Sequence, residues 1–443
     1  MKPTPRLFQP SGLNSHFHGN ATLSFAEYIE KTRQMIAKAR IDLTPETTQS
    51  IPIQLEDTGF VSSSSNTKPG GFLRGKCFAS PLNSNRNTAC HPNTSRDFLR
   101  DNALTENSVL KGERYILDAN SPREWLSTTI PKQGLLLIHG LYDSPFMVKD
   151  LGDYFAKQGL LVRSILLPGH ATVPGDLLNV HHSEWLKAVD YGVETLAKEV
   201  DDIFILGFSL GGVLALHKAL SDTRIKGLLL ISPALRLPKQ WLIGFLSYWQ
   251  RWVQWIVPNT KWYKKRSFQK DTTKYESFTC NAARQIYQLI VKTQQRLKQH
   301  TLSIPVFLAI SAEDEVICPK ACLDFFTSQP HPKSELLWYA RHHELIEDNR
   351  ANVKSSFFPE EKILDFSHIC LTNSPDNPHY GQRGDYRDFL QYADNKAPRH
   401  QEIFLGAVSE ENRKRYVIQR LSYNPDFKEM TQKMGEWLLS STR

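Results

Sequence analysis

A chain of 443 residues with 40% hydrophobic content can bury a full core, as one large domain with insertions or as two or three smaller ones, which excludes a disordered or fibrous protein. Its 54 basic and 46 acidic residues leave a net charge of +8, but the basic residues are dispersed. The densest cluster, at 261–266, lies in no nucleic-acid-binding motif, so a solvated basic face is expected there and no nucleic-acid partner. The N-terminus lacks the apolar stretch of about 7–15 residues that an export signal needs, and no run reaches the length of about eighteen apolar residues needed to span a membrane. A cytoplasmic location is therefore expected. The six cysteines, Cys77, Cys90, Cys280, Cys318, Cys322 and Cys370, show no C-x-x-C pairing, so neither a disulfide framework nor a metal site is expected, and the chemistry proposed below needs no cofactor.

Ser24 and Glu27 form a capping-box pattern that opens a helix running to about residue 40, with Phe25, Ile29 and Ile36 on one face. Residues 1–132 make an N-terminal region containing an irregular insertion at about 61–108, rich in Ser, Asn, Thr, Pro and Gly. Cys77 and Cys90 fall in it and are read as two free thiols, with a disulfide between them as the alternative outside the cytoplasm. From residue 133 short apolar runs at 135–138, 160–167, 203–206, 228–231 and 306–310 alternate with helical stretches. Such runs are too continuous for half-exposed strands and predict a mostly parallel sheet covered by helices, an α/β core spanning 133–234 and 301–443. Between 235 and 300 the alternation stops. Trp241, Phe245, Tyr248 or Trp249, Trp252 and Trp255 recur at three- and four-residue steps, followed by a helical stretch at about 281–299, which predicts an inserted helical cap. The aromatic face has two readings: packing on the core, or an acyl-chain tunnel or lipid-interface helix that would give peripheral membrane contact.

The run at 203–206 leads into Gly207-Phe208-Ser209-Leu210-Gly211, and small helical residues follow. A strand entering so sharp a turn exposes the central hydroxyl, and only glycines two residues either side leave room for the turn. Ser209 is thus the candidate nucleophile. A serine hydroxyl is inert at neutral pH until a base takes its proton, and the base needs an acid to hold its tautomer. After the 306–310 run come Glu313, Asp314 and Glu315; Asp314 is expected to be the acid, with the two glutamates turned outward and solvated. Two sites compete for the base. His343 follows the apolar run 336–339 and lies 29 residues after Asp314. His368 follows the run 363–366 and lies 54 residues after Asp314, which requires 348–362 to form an excursion returning to the sheet edge. The residues alone leave both open. The oxyanion needs two backbone N–H groups, expected from Leu210 and from Leu141 in the loop His139-Gly140-Leu141-Tyr142-Asp143-Ser144-Pro145. His139 is read as a structural hydrogen-bonding residue, and His170 precedes the serine and is not a candidate base.

These motifs, together with Leu166-Leu167-Pro168-Gly169-His170, Lys274-Tyr275-Glu276-Ser277-Phe278 and Asn377-Pro378-His379-Tyr380-Gly381, resemble bacterial α/β-hydrolases of the lysophospholipase, monoacylglycerol lipase and carboxylesterase group, over about 134–443. The resemblance implies an α/β-hydrolase fold and a Ser-Asp-His triad working through an acyl-enzyme. Its implied substrate is a small-molecule acyl ester, and the aromatic cap and basic charge favour a medium- or long-chain acyl group such as that of a monoacylglycerol or lysophospholipid. It also implies His368 as the base, because the Phe-Ser-His stretch looks like a signature of one subgroup. The stretch from His343 to Glu347 is itself similar to the base loop of lysophospholipases, so His343 stands as the alternative. Cleavage of thioesters or peptides by the same machinery, and a non-catalytic binding role on the scaffold, are the other readings. The chain departs from the family in its polar insertion and in Ala171, where the Pro-Gly-His turn more often continues with Gly.

Overall fold

The runs at 203–206, 228–231 and 306–310 lack polar alternation because both faces of the strands they form are covered. The computed structural model describes residues 5–20, 22–49, 117–126, 131–238, 263–265, 271–342, 345–384, 386, 390–391 and 402–441. Its strands, in chain order, are β1 (Arg123–Trp125), β2 (Gln133–Ile138), β3 (Leu161–Ile165), β4 (Asp202–Phe208), β5 (Ile225–Ile231), β6 (Tyr263–Lys265), β7 (Phe278–Thr279), β8 (Val306–Ser311), β9 (Glu335–Ala340), β10 (Ala351–Ser355), β11 (Leu390–Gln391), β12 (Ile403–Gly406) and β13 (Val417–Arg420). Eight of them form one sheet in the order β1-β3-β2-β4-β5-β8-β9-β10, in which only the β1–β3 pairing is antiparallel. The expected mostly parallel sheet surrounded by helices is borne out.

Alternate residues along each strand feed separate clusters. Leu136, Ile205, Leu230 and Leu308 pack with Trp185 on one side, and Leu137, Leu206, Leu229 and Phe307 pack with Trp437 on the other. With the two-residue period of a strand, this buries the sheet on both faces, at about 1.5–3 kcal/mol for each large apolar side chain.

Two elements differ from the sequence expectation. The β1 strand adds an antiparallel edge, short and only half-buried, without an apolar run to reveal it. The stretch 348–362 is not an excursion: it contains β10, which pairs parallel with β9 from Ala351 opposite Leu336 to Ser355 opposite Ala340. As an edge strand with no fully buried residue, β10 leaves no apolar signature. The run at 363–366 forms no strand and makes isolated bridges from Ile363 to Phe358 and Leu405. Its side chains are buried by loop packing instead, with Phe366 against Tyr339 and Phe358.

The helix Phe25–Gln49 opens on reciprocal bonds, the Ser24 N–H to Glu27 Oε2 at 2.9 Å and the Glu27 N–H to Ser24 Oγ at 3.3 Å. Phe25 and Tyr28 join the main core cluster. The segment before this helix straps the rim of the sheet: Ser11 donates through N and Oγ to Asp176, and Gly169 donates to the Asn14 carbonyl. The expected insertion at 61–108, with Cys77 and Cys90, and the aromatic face from Trp241 to Trp255 lie outside the described residues. The helix Cys280–Gln299 follows them; Thr279 caps it, and Ile286, Leu289 and Ile290 pack into the main core cluster. Among the described residues no helix is long and apolar enough to cross a membrane.

Candidate active site

The turn between β4 and the helix Leu210–Ala219 holds Ser209 at φ 54° and ψ −113°, a backbone state that costs a residue with a side chain about 1–3 kcal/mol. Three hydrogen bonds offset the strain: the Ser209 N–H donates to the Ile231 carbonyl at 3.0 Å, and the Ser209 carbonyl accepts from Gly212 and Ala234, each at 3.1 Å. The flanking glycines are steric necessities. A Cβ on Gly211 would stand 2.2 Å from the Ile138 carbonyl oxygen, and one on Gly207 would stand 2.3 Å from that of Gly211.

Asp314 follows β8. Its Oδ1 accepts from the Val316 and Ile317 N–H groups at 2.9 and 3.1 Å, which turns Oδ2 toward His368. Nδ1 of His368 lies 2.7 Å from that oxygen, and Nε2 lies 3.0 Å from Oγ of Ser209. Donation from Nδ1–H to the carboxylate leaves Nε2 as the acceptor for the serine hydroxyl proton. All three residues are buried. Burial alone would push the Asp314 carboxyl up, yet the facing imidazole and the two backbone N–H groups hold it below the ordinary carboxylate value. Burial likewise pulls the His368 imidazole down, and Asp314, with Glu315 and Asp143 nearby, outweighs that and holds it above the ordinary histidine value. His343, the alternative base, lies outside the described residues, and His342 is exposed.

The glutamates flanking Asp314 are not solvated as expected. Glu313 accepts from the Ser311 and Ser356 hydroxyls and from the Arg341 N–H, and Glu315 accepts the His368 backbone N–H at 3.0 Å and pairs with Arg420 at 2.8 Å. Apart from Ser311, their partners come from later in the chain, so local sequence could not reveal them.

Leu210 is the first residue of its helix, so its N–H has no acceptor in a preceding turn. No backbone hydrogen bond among the described residues uses the N–H of Leu141 or Leu210. The Leu141 loop is shaped by Tyr142, at φ 71°, whose carbonyl accepts the Tyr275 N–H at 2.7 Å. Gly140 leaves room for Asp143, whose Oδ2 would stand 2.4 Å from a Cβ there. Burial pushes the Asp143 carboxyl up to about 6. His139 fastens this loop to the next: its Nε2 accepts the Leu167 N–H at 3.1 Å, and its Nδ1 lies 2.8 Å from the Gly140 carbonyl. His170 is buried, stacks on Tyr275, and is pushed down to about 4 by burial. Ala171, where the resemblance favours glycine, stands at φ 60°. Among the described residues no group of three or more His, Cys, Asp or Glu side chains converges as metal ligands would. Glu315, Arg420 and Asp143 are the neighbours of the site that the sequence reading missed or dismissed.

Residues 129–350 match the α/β-hydrolase family described as serine aminopeptidase, S33; Ser209 and Asp314 lie within that stretch and His368 beyond it. A thermostable monoacylglycerol lipase of Bacillus sp. (strain H-257) is 27% identical over 188 residues, 42% of this chain and 72% of the lipase. A carboxylesterase of Bacillus subtilis (strain 168) is 23% identical over 213 residues, 47% of this chain and 82% of the esterase. Among solved structures, a monoacylglycerol lipase of Paleococcus ferrophilus aligns at TM-score 0.39 and 19% identity, covering 52% of this chain and 91% of the lipase.

Proposed function

Because the chain belongs to the S33 serine aminopeptidase family of α/β-hydrolases and is a serine ester hydrolase, we propose that it cleaves carboxylic esters through Ser209, Asp314 and His368. The observation that carries this reading is the unbroken hydrogen-bond chain from Ser209 Oγ through His368 to Asp314. His368 Nε2 takes the hydroxyl proton as Oγ attacks the ester carbonyl carbon, and the carbonyl π electrons move onto oxygen. The N–H groups of Leu141 and Leu210 stabilise that oxyanion; removing one such donor costs about 10²–10³ in rate. Collapse expels the alcohol, which receives the proton from His368, and leaves an acyl-enzyme. Water, deprotonated by the same imidazole, then releases the carboxylic acid and restores Ser209. Asp314 holds the imidazole tautomer throughout and stabilises its cation.

The favoured substrate class is a lipid-like acyl ester such as a monoacylglycerol or lysophospholipid. The names of the two Bacillus relatives and the aromatic segment at 241–255 support it. A second reading, cleavage of a peptide at its amino end, is favoured by the description of the family itself. Profiling p-nitrophenyl esters of graded acyl length, monoacylglycerols and aminoacyl-anilides, with Ser209→Ala as control, tests both. Ester turnover absent from Ser209→Ala is expected; turnover of anilides alone would overturn the ester reading. A folded wild-type protein that takes up no fluorophosphonate label would overturn the enzyme reading altogether.

A further inference from the structure

The backbone of His368 is held by a carboxylate for which ester hydrolysis has no direct use. Glu315 Oε2 accepts the His368 N–H at 3.0 Å, while its Oε1 lies 2.8 Å from Nη2 of Arg420. The Glu315 side chain is only 8% exposed and that of Arg420 22%, so water screens the pair weakly. Arg420 is the last residue of β13, the central strand of the small sheet β11-β13-β12. That sheet and His368 both lie beyond residues 129–350. A buried ion pair that also satisfies a backbone N–H fixes geometry, because removing one partner leaves the other charged and uncompensated.

Taking His368 as the base, as proposed above, we propose that Glu315 and Arg420 are positioning residues for it. Their pair ties the loop carrying His368 to β13, keeps the imidazole in line between Asp314 and Ser209, and balances charge beside it. The acidic groups facing the imidazole are Asp314, Glu315 and Asp143. Lys274, Asp271 and Tyr386 surround Arg420 and Asp143, and the Cys322 and Cys370 thiols lie near Asp314. Within this set Glu315 favours the imidazolium and Arg420 offsets Glu315.

The two partners therefore act on the base with opposite sign. Glu315→Gln keeps an acceptor for the His368 N–H but removes the negative charge, so the acidic limb of the kcat/KM profile on a short acyl ester should move to lower pH. Arg420→Gln leaves Glu315 unpaired and should move the limb to higher pH, each shift being about 0.5 pH unit or more. Arg420→Gln should also lower kcat about ten- to a hundredfold through misplacement of the base, with Arg420→Lys restoring the limb. A merely structural pair would lower activity in both variants and leave the limb unmoved, and that result overturns the proposal. If Arg420→Gln does not fold, Glu315→Gln decides alone: a downward shift supports the proposal and an unmoved limb overturns it. His368→Ala in the same series separates the two readings. Activity retained there removes His368 as the base; an inactive His368→Ala with unmoved limbs in the other variants removes only the positioning role.

Discussion

Nε2 of His368 lies 3.0 Å from Oγ of Ser209 across 159 residues of chain. If that contact is the working one, Ser209→Ala and His368→Ala should each lower kcat/KM for a short acyl ester by about 10³-fold or more, and Asp314→Asn by about 10²–10⁴. His343→Ala should stay within about twofold of wild type. Fluorophosphonate labelling should vanish in Ser209→Ala, and a large loss at His343 with none at His368 would reverse the assignment of the base.

The base must be neutral to accept the serine proton, so activity should rise with pH through the His368 titration. Asp314, Glu315 and Asp143 together hold that imidazole above its ordinary value, so the acidic limb should be centred above the ordinary histidine value of about 6.5. In Asp314→Asn, whatever activity is left should show this limb displaced to lower pH. A wild-type limb centred well below 6 would contradict the charge arrangement.

Asp143 offers a stability test with its own sign. Burial raises its carboxyl from 3.8 to about 6, so the folded state holds the proton more tightly than the unfolded state. Well below pH 3.8 both states are protonated and no penalty exists; the penalty to the folded state grows as the pH rises from 3.8 through about 6 and is complete above that. Asp143→Asn should therefore raise Tm at pH 8, by an amount corresponding to about 1–3 kcal/mol, and leave it unchanged near pH 3.5. Thermal unfolding at the two pH values checks this, and an equal gain at both would rule out ionisation as the cause.

Gly211→Ala should be severe. Its methyl would meet the Ile138 carbonyl oxygen at 2.2 Å, backbone against backbone, with no flexible side chain to yield. A loss of about 2–4 kcal/mol is expected in urea unfolding, together with loss of activity as the turn at Ser209 opens. Wild-type stability in this variant would mean that the turn is looser than its contacts imply.

How much could be read without coordinates depended on whether the constraint was local. The strands at the centre of the sheet were legible because burial on both faces leaves continuous apolar runs. The edge strands β1 and β10 were not, since an edge pays no such compositional toll. The apolar run at 363–366 reflects burial without a strand, since Ile363 and Phe366 are buried in a packed loop. Around Ser209, the sharp turn was legible through Gly207 and Gly211, whereas the surroundings of Asp314 were misjudged. Glu313 and Glu315 look like solvated neighbours until Ser356, Arg341, His368 and Arg420 arrive from later in the chain.

By itself the sequence determined the parallel sheet, the strained turn at Ser209, and a carboxylate-rich loop after the strand that carries Asp314, because each rests on steric or hydrophobic demands felt within a few residues. The tertiary structure decided which groups meet. The imidazole of His368 approaches Ser209 because β10 ends the sheet and the following loop folds back over the carboxyl ends of the strands, where Glu315 and Arg420 hold it. Closing such long loops costs entropy that varies only slowly with their length. Spacing along the chain therefore could not place His368 beside Ser209, whereas burial and hydrogen bonding at the far end of the loop do.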